Sequence, residues 1–198
     1  YVGTAEDLRE RGLDKEEFVS RRWEEFSAGD EQGHEHVIIE AISEGVVFSS
    51  LEHSIGGADS VAVLRPNLSE QEKNEAIVRA FSFAGRPYDF EFDFETTDML
   101  VCTEVVFRTY GGNSGVIQFP LEEIMGRQTM PAINLVQKFD REYGTDAAQF
   151  EFVAFIDGDE QTESSRFITD VQKFRDTVDR PASSFTQGSD PLALKSIG

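Results

Sequence analysis

The single cysteine of this chain, Cys102, stands where a thiol could become a nucleophile. Residues 86–112 read RPYDFEFDFETTDMLVCTEVVFRTYGG. An aromatic and acidic run, 88–94, precedes the cysteine, and Thr96, Thr97 and Asp98 offer side chains able to cap a helix. Val101, Val105 and Tyr110 then keep roughly helical spacing until Gly111 and Gly112 end the run. The spacing predicts Cys102 in the first turn of a helix with one buried face. Free backbone N–H groups and the positive end of the helix dipole favour a thiolate at such a place. The competing reading is an inert structural thiol, because free cysteine is among the most buried residue types.

A cysteine nucleophile needs a histidine base and a third polar group to orient that base. The three histidines are His34, His36 and His53. His34 and His36 flank Glu35 in a loop leading into a strand, and His53 follows a strand. None has a spacing that marks it as the base. No third ligand accompanies the first two, so a solvated loop is the better reading than a metal site. The chain carries no phosphate-binding glycine loop, no internal repeat and no metal-ligand spacing, and no cofactor is called for.

The elements that must position this chemistry can be read from periodicity. Tyr1-Val2-Gly3 looks like the end of a strand running into a turn. Residues 14–26 predict a helix, with Asp14 and Glu17 as a capping box and Phe18, Val19, Trp23 and Phe26 on a partly apolar face. Residues 36–42, 45–50 and 60–64 read as short strands. Glu40 shares a face with Ile38 in the first of them, and a carboxylate there needs a partner, because burying it unpaired is costly. Ser69 and Glu72 form a second capping box, opening a helix whose stripe is Ala76, Ile77, Ala80, Phe81 and Phe83 and which ends at Gly85. A short strand is expected at 116–119, a helix at 133–143, a buried strand at 150–156 and a helix at 164–178 with Phe167, Ile168, Val171 and Phe174 on its face. The composition then turns to Pro, Ser, Gly and Asp. The expected organisation is one domain over 1–179, with a helical insertion at 14–27, and a disordered tail at 180–198.

Composition bounds the partners. A chain of 198 residues can bury a sizeable core, and its 17 phenylalanines should dominate it. The formal net charge of −20 and a pI near 4.4 argue against a nucleic-acid footprint and against anionic membrane surfaces. One cysteine excludes an intrachain disulfide and an all-cysteine zinc site. No apolar run approaches the ~20 residues of a membrane span. A cytoplasmic setting is favoured, and a leader lost from upstream of Tyr1 is compatible with the strand-like start.

Four stretches in order resemble one family: HVIIEAISEGV from His36, VAVLRP from Val61, GRPYDF from Gly85, and VCTEV from Val101. Together they are similar to the YiiX-type branch of the circularly permuted papain-like hydrolases, grouped with the NlpC-type cysteine peptidases and, more distantly, with the lecithin retinol acyltransferase group. The resemblance covers roughly residues 1–133. It implies an α+β fold in which a small, mainly antiparallel sheet packs against the helix carrying Cys102. It implies a thiol hydrolase acting on an amide or ester of a small-molecule, peptide or lipid substrate through a thioester. Cys102 in Cys102-Thr103-Glu104 matches the nucleophile and Glu40 the third polar residue. Tyr88 would line the site or assist the oxyanion, and Glu104 would brace the helix. The family histidine precedes a Tyr-x-Gly that Tyr1-Val2-Gly3 matches, so it would lie upstream of Tyr1. This chain is then expected to be weak or inactive, with an open sheet edge beside 37–41. The other readings are an acyltransferase or phospholipase passing the thioester to another acceptor, and a non-catalytic binding domain on the same fold.

Overall fold

The computed structural model describes residues 1–90, 98–112, 115–124, 126–159 and 164–179. Thr96, Thr97 and the 180–198 tail therefore lie outside the described residues. Eight α-helices and seven strands follow one another within them. All strand pairs are antiparallel, in three small sheets. This is the mixed architecture of small antiparallel sheets and helices that the resemblance implies.

The chain opens with helix α1 (Ala5–Glu10), capped by Thr4: the Asp7 N–H donates to the Thr4 hydroxyl, and the Asp7 carboxylate accepts from the Thr4 N–H at 2.8 Å. The helix expected over 14–26 is instead three short pieces, a 3-10 turn Leu13–Lys15, α2 (Glu17–Ser20) and α3 (Trp23–Ala28). Its expected capping box does not form. Glu16 takes the cap position of α2 with no side-chain bond, and one oxygen of Asp14 is buried without a hydrogen-bond partner. The break lets Leu13, Val19 and Phe26 all turn inward, where they pack with Leu8, Phe48, Ile77 and Phe81. Phe26 meets Phe48 and Phe81 edge-on, with ring centroids 5.3 and 5.1 Å away.

Strands β1 (Ile38–Ile42) and β2 (Gly45–Ser49) form a tight hairpin in which Glu40 pairs with Val47. Gly45 has φ +114°, and a Cβ there would fall 2.5 Å from the Arg86 carbonyl oxygen, so glycine is required at this crossing. Ser50 caps α4 (Leu51–Ile55), a helix the sequence reading does not include; it places His53 on a helix. Helix α5 (Glu70–Phe81) carries the expected Ser69/Glu72 box, and Ala76, Ile77, Ala80, Phe81 and Phe83 are all buried as its pattern predicts. Helix α6 (Cys102–Tyr110) packs against β1.

A second core lies in the C-terminal half. Strand β3 (Ser60–Pro66) pairs with β6 (Phe150–Asp159), which pairs with β7 (Ser164–Ile168). Helices α7 (Ala132–Glu142) and α8 (Val171–Arg175) cover that sheet, burying Phe139, Phe150, Phe155 and Phe174 with Ile117. Residues 164–168 are thus strand where periodicity predicts helix. The backbone of β6 offers a free edge to them, and Asp170 then starts a new helix by accepting the Gln172 N–H at 2.9 Å. As a consequence Phe167 is exposed, while Ile168, Val171 and Phe174 still reach the core. The strand expected at 116–119 is extended chain outside any sheet, anchored by the Ile117 N–H on the Tyr110 carbonyl. A small hairpin of β4 (Glu122–Ile124) and β5 (Arg127–Thr129) was not expected.

Candidate active site

Cys102 is the first residue of α6 and is exposed. The first N–H to close an α-helical bond is that of Val105, onto the Val101 carbonyl at 3.0 Å. The N–H groups of Cys102, Thr103 and Glu104 therefore have no carbonyl of the helix to bond, and they sit around the thiol with the positive end of the helix dipole. The cap differs from the expected one. Val101, not Asp98 or a preceding threonine, is the residue before the helix, and it has no polar side chain. The capping oxygen comes from inside the helix: the Glu104 carboxylate accepts the Val101 N–H at 3.4 Å.

Glu104 itself is fully buried, and Arg108 one turn on donates to it at 2.6 Å. Burial raises its pKa, the Arg108 bond and charge pull it down, and the nearby Asp89 carboxylate pushes it up. Glu104 is thus a brace for the start of α6, as expected, and not a group open to substrate. Asp89, also fully buried, is a site neighbour that sequence reasoning missed. Nothing in an acidic-aromatic run marks in advance a carboxylate that will be buried.

Tyr88 reaches the same place from another direction. The Gly85 N–H donates to the Val46 carbonyl at 2.7 Å and the Val46 N–H donates to the Arg86 carbonyl at 2.8 Å, which pins this segment to β2. A parallel bridge between Tyr88 and Leu100 follows, with the Leu100 N–H donating to the Pro87 carbonyl at 3.0 Å. Tyr88 then packs against the cluster of Ala41, Val46, Phe83, Leu100 and Val105 and against Val101 and Met130. Burial raises its pKa, and the neighbouring Cys102 and Asp89 charges raise it further, so the phenol keeps its proton at neutral pH.

Glu40 is placed differently. Its neighbours Ile39 and Ala41 pack with Leu100 and Val105 on the α6 side of β1. By strand alternation Glu40 points to the other face, where the Ser54 hydroxyl of α4 donates to it at 3.1 Å. It also lies close enough to the Tyr1 amino group for its charge to act there; burial lowers that amine's pKa and Glu40 partly offsets the effect. The Val2 N–H donates to the Val37 carbonyl at 2.8 Å, so the chain enters alongside this strand. The structure thus brings Tyr88 to Cys102 and places Glu40 at the edge where Tyr1 enters.

The rings of His34 and His36 are engaged elsewhere. His34 Nδ1 is 3.0 Å from Asp30 and His36 Nδ1 is 3.2 Å from the Glu25 carbonyl, while the backbone N–H of His53 donates to the Ser50 hydroxyl at the start of α4. Hydrogen bonds from Ser50 and His34 hold the Asp30 carboxyl far below the usual range against the opposing effect of its burial. Among the described residues none of the three bonds to Cys102, no group of three or more His, Cys, Asp or Glu could hold a metal ion, and no helix is long and apolar enough to cross a membrane.

An exposed cysteine opening a helix on a small antiparallel sheet defines a papain-like arrangement. The family model for the permuted papain-like amidase enzymes, the YaeF/YiiX or C92 family, matches residues 20–170, and the chain belongs to that family. No curated protein and no solved structure matches the chain.

Proposed function

We propose that Cys102 is the nucleophile of a hydrolase that cleaves an amide or ester through a thioester. The sulfur attacks the carbonyl carbon, the amine or alcohol leaves with a proton, and water then releases the acid and restores the thiol. The observation that carries this reading is the position of the single cysteine: exposed, first in α6, with helix N–H groups around it. Those N–H groups, joined by the protonated Tyr88 hydroxyl, are the donors available to an oxyanion.

By the family resemblance, the base in this proposal is a histidine four residues before Tyr1, and the rings of His34 and His36 are bonded away from Cys102. Glu40, expected to share a cleft with Cys102, takes no part in this mechanism, because its carboxylate accepts from Ser54 on the side of β1 turned away from α6. Passing the thioester to an acceptor other than water has no separate observation behind it.

The test uses the polypeptide extended upstream of Tyr1 to include that histidine. Iodoacetamide should alkylate Cys102 faster than a free cysteine analogue, and Cys102→Ser should abolish amide hydrolysis while leaving the fold intact. Glu40→Gln should leave kcat unchanged, because its carboxylate accepts from Ser54 on the face of β1 turned away from α6. Normal turnover by Cys102→Ser ends the proposal, and a loss of kcat in Glu40→Gln at an unchanged unfolding midpoint would return Glu40 to the mechanism.

A further inference from the structure

Phe90 differs from Phe83, the phenylalanine of the cluster that Tyr88 packs against. Phe83 is buried, whereas Phe90 is 70 % exposed. Its position is nonetheless set. The preceding residue, Asp89, is fully buried and its N–H donates to the Leu100 carbonyl, two residues ahead of Cys102. The Phe90 ring meets the Tyr88 ring edge-on, with centroids 5.0 Å apart. Tyr88 in turn packs on Val101, the residue that opens α6. Tyr88, held in the core against the residue that precedes α6, therefore carries on its edge the Phe90 ring, which is presented to solvent. An apolar surface left open next to a reactive group gains free energy when an apolar ligand group covers it.

From this placement we infer that Phe90, seated on Tyr88, is a specificity-determining residue that selects substrates carrying an apolar, hydrocarbon or aromatic group next to the scissile carbonyl. This rests on the reading of Cys102 as the nucleophile. The −20 net charge acts in the same direction, because it disfavours anionic substituents near the site.

The experiment needs no turnover. The chain has one cysteine, so alkylation reports on Cys102 alone. Rates are measured with iodoacetamide and with N-benzyl-iodoacetamide. In both the sulfur displaces iodide, a C–S bond replaces the C–I bond, and the thiol proton goes to buffer. The benzyl-to-parent rate ratio is divided by the same ratio for a free cysteine analogue, which removes intrinsic reactivity. A preference of about fivefold to tenfold is expected, what burying one or two methylene equivalents yields. Phe90→Ser should bring the normalised ratio to within about twofold of unity, and Phe90→Leu, which keeps apolar surface, should retain most of it. Phe167→Ser, at an equally exposed phenylalanine on β7, should leave it unchanged. A ratio near unity in the unaltered protein overturns the inference, and so does a preference that survives Phe90→Ser. Slow reaction with iodoacetamide but an intact benzyl preference would refute the nucleophile reading while supporting the apolar shelf.

Discussion

Helices α6 and α7 each bury an ion pair four residues apart, and they use it for different ends. In α6 the buried member is Glu104, in the first turn, and its partner is Arg108. In α7 the buried member is Lys138, and its partner is Glu142 at the helix end. Lys138 also donates to the Gln149 side chain at 2.8 Å, and that side chain accepts the Gln118 N–H and donates to the Val116 carbonyl. The second network therefore ties the 116–118 segment and the 142–149 turn to α7. It borders an open cavity of about 590 Å³ lined by Gln118, Lys138, Arg141 and Gln149, with no cysteine or histidine in its lining. The first network holds a helix start that carries the exposed thiol, beside Tyr88. A buried charge or a cavity alone thus does not locate the chemistry. What distinguishes α6 is the group that the braced end presents.

The comparison can be broken by mutation. The largest effect is expected for Glu104→Ala, which leaves Arg108 without its buried partner and the Val101 N–H without its cap. A loss of about 3 kcal/mol in urea unfolding is expected, together with slower alkylation of Cys102. Undiminished alkylation would separate the brace from the reactivity of the thiol.

Lys138→Met should cost about 2 kcal/mol, because Glu142 and Gln149 lose a buried donor while packing volume is kept. Cys102 alkylation should stay within about twofold of the unaltered protein, the scatter of a neutral surface change. A larger change would show that the two networks are coupled.

The smallest effect sharpens the electrostatics of α6. Burial puts the Glu104 pKa above its ordinary 4.5. The native state then holds that proton more tightly than the unfolded chain. The associated stability is complete below pH 4.5 and is lost as pH rises through the native value. Glu104→Gln removes this dependence, so its unfolding midpoint relative to the unaltered protein should improve from pH 4.5 to 7. The opposite slope would mean that the Arg108 pair outweighs burial.

Legibility followed the range of the interactions involved. The Ser69/Glu72 box and the α5 stripe were readable because cap and periodicity operate within one or two turns. The same chemistry forms at Thr4 and Asp7, directly after the strand-like Tyr1-Val2-Gly3, where no long apolar stripe follows the cap. Asp14 and Glu17 carry the matching pattern without the structure, since burying Leu13, Val19 and Phe26 together requires the helix to break. At 164–168 an apolar spacing that suits a helix yields to antiparallel pairing with β6, the strand that directly precedes it, because a ladder of backbone bonds outweighs a short apolar periodicity. For the site, the position of Cys102 in the first turn of α6 was legible from local spacing, although its cap was not.

By itself, then, the sequence determined the thiol, its place in the first turn of a helix, the α5 packing stripe, the strands that bracket Glu40 and the membership of a permuted papain-like family. Each is carried by residues close in the chain or by motifs in a set order. Only the tertiary structure decided that Tyr88 packs at the start of α6 with Phe90 against it, that Asp89 and Glu104 are buried while Cys102 is exposed, and that Glu40 faces Ser54 on the far side of β1. These outcomes depend on which backbone edges pair and which faces pack. A parallel bridge from Tyr88 to Leu100 and the clasp of Gly85 on Val46 join residues whose local sequences carry no record of one another.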